Sequence, residues 1–457
     1  MLRDAYAIDR FFISIQELGS QMDPELAVVD ELLDDDELYQ TVRQDMEKRH
    51  KQTMVTGRPS TPVEVVLRTL TVKTLYHLSY EETERQVKDS LVLRRFCRVY
   101  FEEVPDDTTL NRWANVIGLE TMEALNRRVV ELATKRRVTR GRKLRTDGTV
   151  VESNIHYPTD NRLLADGVRV LSRTLKRAQA LLEEGVECAK ELFRDRTRSA
   201  RRAARRITDA ARKGKEATRD TFERLVHTTQ ATVDQAEQVL AVLHAHASDQ
   251  AQRLCHTLET FIPRVKQVIN QTVRRVFQEE QVPAPEKLVS LFEPHTNIIR
   301  RSKANRDTEF GHKVWLDEVD GGIITRYAVL DGNPPDHDQW QPSLDHHVEL
   351  FGHPPWQASA DRGVSSPDNE AYATCLGVQH VILPHVGTLS PERRRYEQQS
   401  WFRRGRRWHS GIEGRISVVK RKYRLDRCLN RGKDGFVRGV GWGVFANNLS
   451  VMGHALA

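Results

Sequence analysis

Acidic residues are almost missing from one long basic tract, and that gap is the most informative of several in this sequence. Between Trp401 and Arg424 stand Arg403, Arg404, Arg406, Arg407, Arg415, Lys420, Arg421, Lys422 and Arg424, against a single carboxylate, Glu413. A surface helix usually mixes both signs at i,i+4 spacing, so a face this positive suits a polyanion. Long hydrophobic runs are missing too: none approaches the ~20 residues that cross a bilayer, which excludes a membrane-spanning helix. The opening "MLRDAYAIDRFFISIQELG" has acids and no long apolar stretch, which argues against a secretory signal. Cysteine is scarce, and Cys97, Cys188, Cys255, Cys375 and Cys428 fit neither zinc nor disulfide spacing. They read as reduced thiols of a cytoplasmic protein. Proline is absent from Thr159 to Ile262, where only three glycines occur. That stretch is therefore expected to be helical.

What is present sets the scale. A chain of 457 residues predicts roughly two to four domains. At 39% hydrophobic residues it can bury real cores, and a net charge of +7 favours an acidic partner, nucleic acid being the commonest.

The N-terminal third reads as short helices. In "STPVEVVLRTL", Thr61 is placed to cap, Pro62 to take the first helical position and Glu64 to close a capping box. Ser79 and Glu82 form a second such pair, and "VPDDTTLNRWANVIG" reads as a turn, a cap and another helix. Successive short helices suit a helix-turn-helix-like DNA-binding domain, and equally a bundle that only packs. "KLRTDGTVVESNIHY" then switches to strand character. In the helical stretch that follows, Leu164, Val168, Leu171, Leu175, Ala178 and Leu182 keep a heptad seam. Val233, Ala236, Leu240, Leu243, Ala247, Leu254, Leu258 and Phe261 keep a second. Between the seams lies the arginine- and alanine-rich "RDRTRSARRAARRITDAARKGK", so residues 160–282 read as an antiparallel hairpin or small bundle with a positive tip. Strand character returns in "GHKVWLDEVDGGIITRYAVLDG", a hairpin turning at Gly321-Gly322. Strand, loop, helix and strand follow, then the basic tract on a helix and a short apolar helix at the end. The alternation argues an α/β sheet with helices on its faces.

Three acids stand out by position: Asp147 in the first strand, Asp361 at the end of a later one and Glu413 in the basic tract. Ligands of open α/β sheets gather at strand ends of this kind. Converging carboxylates would suit a hard divalent cation, and a pair of such ions serves phosphodiester chemistry. Each acid also has an ordinary use. Asp147-Gly148 suits a turn, Asp361 a loop cap, and Glu413 an ion pair with Arg406 or Arg415. Asp331, Asp336, Asp338 and His337 in "DGNPPDHD" read as a turn rather than metal ligands. His346 and His347 read as surface residues, and most of the tryptophans as core.

"LRTDGTVVESNIHYPTD", "GHKVWLDEVDGGIITRYAVLDGNPPDHD", "WQASADRGVSSPDNE" and "HSGIEGRISVVKRKYRLDRCLNRG" together resemble bacterial insertion-sequence DDE transposases with a ribonuclease H-like catalytic domain. The resemblance implies an all-α N-terminal domain over residues 1–140 that recognises terminal inverted repeats. It implies a ribonuclease H-like mixed sheet with flanking helices over 141–457, interrupted by a helical insertion at 160–285. It places the catalytic, metal-holding triad at Asp147, Asp361 and Glu413, with two Mg²⁺ or Mn²⁺ ions as cofactor. The implied reaction cuts the transposon ends and joins the 3′-hydroxyl to target DNA, and a homodimer or larger synaptic assembly would hold the two ends. Relatives carry tyrosine and arginine before the third acid and lysine seven residues after it. Lys420 matches that lysine, whereas Arg406 and His409 occupy the other two positions. Lys420, Arg406, His409 and Arg415 are the expected DNA contacts, and the implied setting is cytoplasmic and nucleoid-associated, without a membrane. The rival readings are a non-catalytic DNA-binding protein derived from a transposase, and a ribonuclease H-like nuclease without strand transfer.

Overall fold

A computed structural model describes residues 1–49, 59–182, 193–210, 216–300 and 308–457. They form two compact units, one of Met1–Ser153 with His312–Ala457 and the other of Asn154–Gly311.

The first unit is α/β. Its central strand, β1 (Lys143–Ser153), runs unbroken through Asp147-Gly148, so that dipeptide is mid-strand and not a turn. With β2 (Asn297–Arg300), β3 (Thr308–Val319), β4 (Ile324–Leu330), β5 (Gln357–Ser359), β6 (His380–Ile382) and β7 (Arg427–Cys428) also assigned, the order in this unit is β4-β3-β1-β5-β6, β7 pairing with the far end of β1. β3 and β4 are the antiparallel hairpin anticipated at Gly321-Gly322. Both glycines hold positive φ, +85° and +80°, a conformation that other residues rarely adopt. β5 and β6 run parallel to their neighbours.

Helices cover this sheet. The one at the C-terminus is long, Gly432–Leu456, rather than short. It packs against β4 and the N-terminal helices Pro24–Leu32 and Leu119–Lys135. Its Asn448 closes the free edge of β4: the side-chain oxygen accepts from Ile324 N (2.9 Å) and the amide donates to Ile324 O (2.7 Å). Buried backbone groups at a sheet edge need such partners. Among the described residues, no helix is long and apolar enough to cross a membrane.

In the N-terminal helical layer the Ser79–Glu82 capping box forms as read. The box at Thr61 does not. The helix starts at Val63, and Glu64 turns instead to Arg68 at 3.2 Å. Arg68 is fully buried and also meets Asp30 at 2.7 Å and Asp34. A buried guanidinium needs several acceptors, and this demand outweighs a cap worth about 1 kcal/mol.

The second unit is the small bundle. Its helices are Asp160–Leu182, Thr197–Ala210, Glu216–His244 and Asp249–Val276, the last running through Pro263. The whole first heptad seam is buried. The second breaks at an exposed Ala247 between two helices. Asp160 at the first helix start accepts from Arg275 (2.7 Å) on the last. β2 pairs antiparallel with Thr308–Gly311, the leading end of β3. Cys188 and the lysines of "RKGK" lie outside the described residues. Among the described residues, the other four cysteines form no disulfide.

Trp113, Trp315, Trp340 and Trp442 are buried, as read. His347 is not the surface residue anticipated: it is 1% exposed and its Nε2 donates to Gly141 O at 2.9 Å. Its tertiary partner lies far away in sequence, where helix periodicity gives no sign of it. Burial pushes its imidazole down to about 4. An unfolded histidine binds its proton near 6.5, so between those values the unfolded chain holds more protons and stability rises with pH. His347→Gln keeps a donor without titrating. Chemical denaturation at pH 7 and pH 5 is expected to show the wild type losing about 2 kcal/mol more than this variant.

Candidate active site

The site grows from the parallel pairing of β1 and β5. Lys143 pairs with Gln357, Leu144 with Ala358 and Arg145 with Ser359. The same register carried two residues past the end of β5 sets Asp361 level with Asp147. Side chains alternate along a strand, so Asp147 shares a face with Arg145. Over that face run the two helices of the basic tract, Ser400–His409 and Gly411–Lys422. The first of them lies directly on β6, because a Cβ at Gly405 would sit 1.7 Å from Ile382 Cδ1. Only glycine permits that approach.

Asp147, Asp361 and Glu413 line one cavity of about 340 Å³, together with Arg406 and His409. Asp336 is there as well. It begins the short turn Asp336–Gln339, in keeping with the sequence reading. Asp331 and Asp338 do serve as loop acids, paired with Lys433 and His337. Asp336 instead meets Lys313 Nζ at 2.6 Å, and that ammonium also donates to Pro334 O at 2.6 Å. A Cβ at Gly148 would stand 3.3 Å from Asp336 Oδ1, from Lys313 Cε and from the Trp315 ring. The glycine beside Asp147 thus leaves room for this pair. Nothing local marks Asp336, because Lys313 and Gly148 reach it through the tertiary fold.

The ordinary alternatives for the three acids can be compared with their contacts. Asp361 stands at the N-cap of the short turn Arg362–Val364, yet its side chain makes no cap hydrogen bond. It accepts from His409 Nε2 at 3.1 Å instead. A carboxylate only accepts, so the proton sits on Nε2. That hydrogen bond, against partial burial, holds the Asp361 carboxyl below its usual range, keeping it ionised at neutral pH. Asp147 accepts from Gly148 N at 2.7 Å. Glu413 is exposed in the first turn of its helix, where the positive helix end favours a carboxylate. Among the described residues it forms an ion pair with neither Arg406 nor Arg415.

Arg415 and Lys420 do not line the cavity. Arg415 turns to the sheet, where Nε meets Glu318 Oε1 at 3.2 Å and Nη1 donates to Asn447 at 3.1 Å. Glu318 on β3 is fully buried and is gripped from its other side by Arg145, both donor distances being 2.8 Å. Arg145 also donates to Trp408 O at 2.5 Å, its guanidinium 4.8 Å from the Trp408 ring. Strand β1, strand β3 and both basic helices are thereby joined through one carboxylate. Among the described residues, no three His, Cys, Asp or Glu side chains stand close enough to share one metal ion. The acids occupy one cavity without yet converging.

Residues 14–115 match the family described as a transposase domain (DUF772). This supports a transposase family, and the matched stretch lies within the N-terminal helices, outside the acidic cavity. No curated protein and no solved structure matches the chain.

Removing one member of a buried ion-pair network strands the others, at a cost of about 3–5 kcal/mol. Glu318→Ala is therefore expected to lower unfolding free energy by that order in urea titrations. A loss under about 1 kcal/mol would mean that Arg145 and Arg415 hold their elements without it.

Proposed function

We propose that this chain is an insertion-sequence DNA transposase whose ribonuclease H-like domain carries out metal-dependent phosphoryl transfer with Asp147, Asp361 and Glu413. The observation that carries the reading is the meeting of those three acids, from a central strand, the end of its parallel neighbour and a basic helix, in one cavity. The strand order β4-β3-β1-β5-β6, with an antiparallel hairpin followed by parallel strands, supports the ribonuclease H-like assignment. The transposase-domain match over residues 14–115 supports the rest, including recognition of terminal inverted repeats by the N-terminal helices.

The donors fit a hard divalent cation in kind, since carboxylate oxygens are what Mg²⁺ and Mn²⁺ take. Asp147, Asp361 and Glu413 would hold the metal, which calls for side-chain rotation because no three groups converge as they stand. Bound there, such ions would supply activation of water and stabilisation of the leaving oxygen of a phosphodiester. The remaining work belongs to the chain. His409 orients Asp361 by donating to it and keeps it ionised. Arg406, exposed at the cavity, offers a guanidinium to DNA phosphate, a contact that positions without reading sequence. Arg415 acts as a positioning residue through Glu318 rather than as a DNA contact. Lys420, partly exposed in the last turn of the same helix, offers an ammonium to DNA phosphate. Joining two element ends requires two copies of the chain in one assembly.

The test is metal-dependent cleavage and joining of labelled DNA bearing the ends of the encoding element. The wild type is expected to cut and join with Mg²⁺ or Mn²⁺. Asp361→Asn and Glu413→Gln should each lose about 10³-fold in rate, the several kcal/mol that such ions supply, with DNA binding retained. Cleavage without joined products would favour a nuclease. Binding by all three proteins with cleavage by none would leave a DNA-binding protein only.

A further inference from the structure

A second cavity in the first unit, about 70 Å³ in volume, is lined by Lys73, Tyr80, Asn115, Arg424, Arg438 and Trp442 among others, with no aspartate or glutamate. Three cations around one small space without a carboxylate is an unfavourable arrangement unless an anion enters. Their hydrogen bonds go to backbone carbonyls. Arg438 Nη1 donates to Asn115 O and Ile117 O, both at 2.8 Å, and Arg424 Nη2 donates to His77 O at 2.7 Å. The Nε of Arg424 is buried and meets no acceptor. The Lys73 ammonium stands 4.5 Å from the centroid of the Tyr80 ring, and among the described residues it has no ion-pair partner.

We infer that this cavity is a binding site for a phosphate group. Lys73 offers three N–H donors and Arg424 one unsatisfied donor, which suits the several oxygens of a tetrahedral oxyanion. A space of this size takes several waters or one such anion. Burial pushes Lys73 down to about 8, and the charge of Arg424 acts in the same direction. Lys73, Tyr80 and Asn115 belong to the stretch that matches the transposase domain, whereas Arg424, Arg438 and Trp442 come from the C-terminal part of the chain. Two sources could supply the group, a phosphodiester of the DNA backbone or free inorganic phosphate.

The full chain in metal-free buffer separates the two. Inorganic phosphate, against chloride at equal ionic strength, is expected to raise the wild-type Tm by roughly 2–4 °C. Lys73→Met should abolish the rise while melting no lower than wild type in chloride, because an apolar chain of similar length replaces a poorly paired charge. Arg424→Gln should abolish it independently. In duplex binding, loss of one backbone-phosphate contact lowers the slope of log K against log salt by about 1. A lower slope in Lys73→Met identifies backbone phosphate as the occupant, and an unchanged slope with the Tm effect lost identifies the free ion. A wild type indifferent to phosphate together with an unchanged slope overturns the site. So does a phosphate response that survives both substitutions. Neither reading involves cleavage or a divalent ion, so the outcome stands apart from that of the acidic cavity.

Discussion

The placement of the acidic cavity depends on one buried carboxylate, Glu318. It lies on β3 between the guanidinium groups of Arg145 on β1 and Arg415 on the helix Gly411–Lys422. Arg145 reaches onward to the backbone of Trp408 at the end of the preceding helix. An ion pair of this kind adds little net stability over an apolar core, since desolvation offsets most of its attraction. Its value here is geometric. Asp147 is two residues along β1 from Arg145, and Glu413 two residues before Arg415. A carboxylate that fixes the two arginines therefore fixes the relative height of the two acids. It also gives one cation of the basic tract an inward role: Arg415 serves the sheet, whereas Arg406 lines the cavity.

Close approach is the second constraint. Gly405 lets its helix rest on Ile382, and Gly148 leaves space for Asp336 and Lys313. Both glycines act by what they omit. Around this frame, polar groups at element edges are satisfied by distant partners. Asn448 closes β4, Asp45 accepts from the Gly118 N–H and the Thr121 hydroxyl beside the start of Leu119–Lys135, and Arg68 gathers three acids inside the helical layer. The long terminal helix belongs to this scheme, because its apolar length is covered by the N-terminal helices as well as the sheet. Read in isolation, its last residues suggest only a short segment.

Much of the architecture was legible because local chemistry and final environment agree. The Ser79–Glu82 box, the Gly321-Gly322 turn and the heptad seam from Leu164 to Leu182 each carry their own structural reason within a few residues. The strand through Asp147 and the positions of Asp361 and Glu413 were readable in the same way, from element type and charge. Thr61 and His347 depart from the local reading because the fold supplies what local spacing does not show: Arg68, held by Asp30 and Asp34, draws Glu64 from the Thr61 box, and Gly141 sets His347. The fold likewise brings Lys313 to Asp336.

By itself the sequence determined where several of the helices and strands lie, where the basic tract lies, and that Asp147 sits within a strand, Asp361 at the end of one and Glu413 in that tract. Such features follow from periodicity, capping and charge, all of them short-range. Only the tertiary structure decided that the three acids share one cavity with Asp336, that Arg415 faces inward, and that Lys73, Arg424 and Arg438 surround a second space without a counter-charge. Those are matters of register between β1 and β5 and of long-range ion pairing. Their physical cause is the demand of buried charges for partners, which chain neighbours cannot supply.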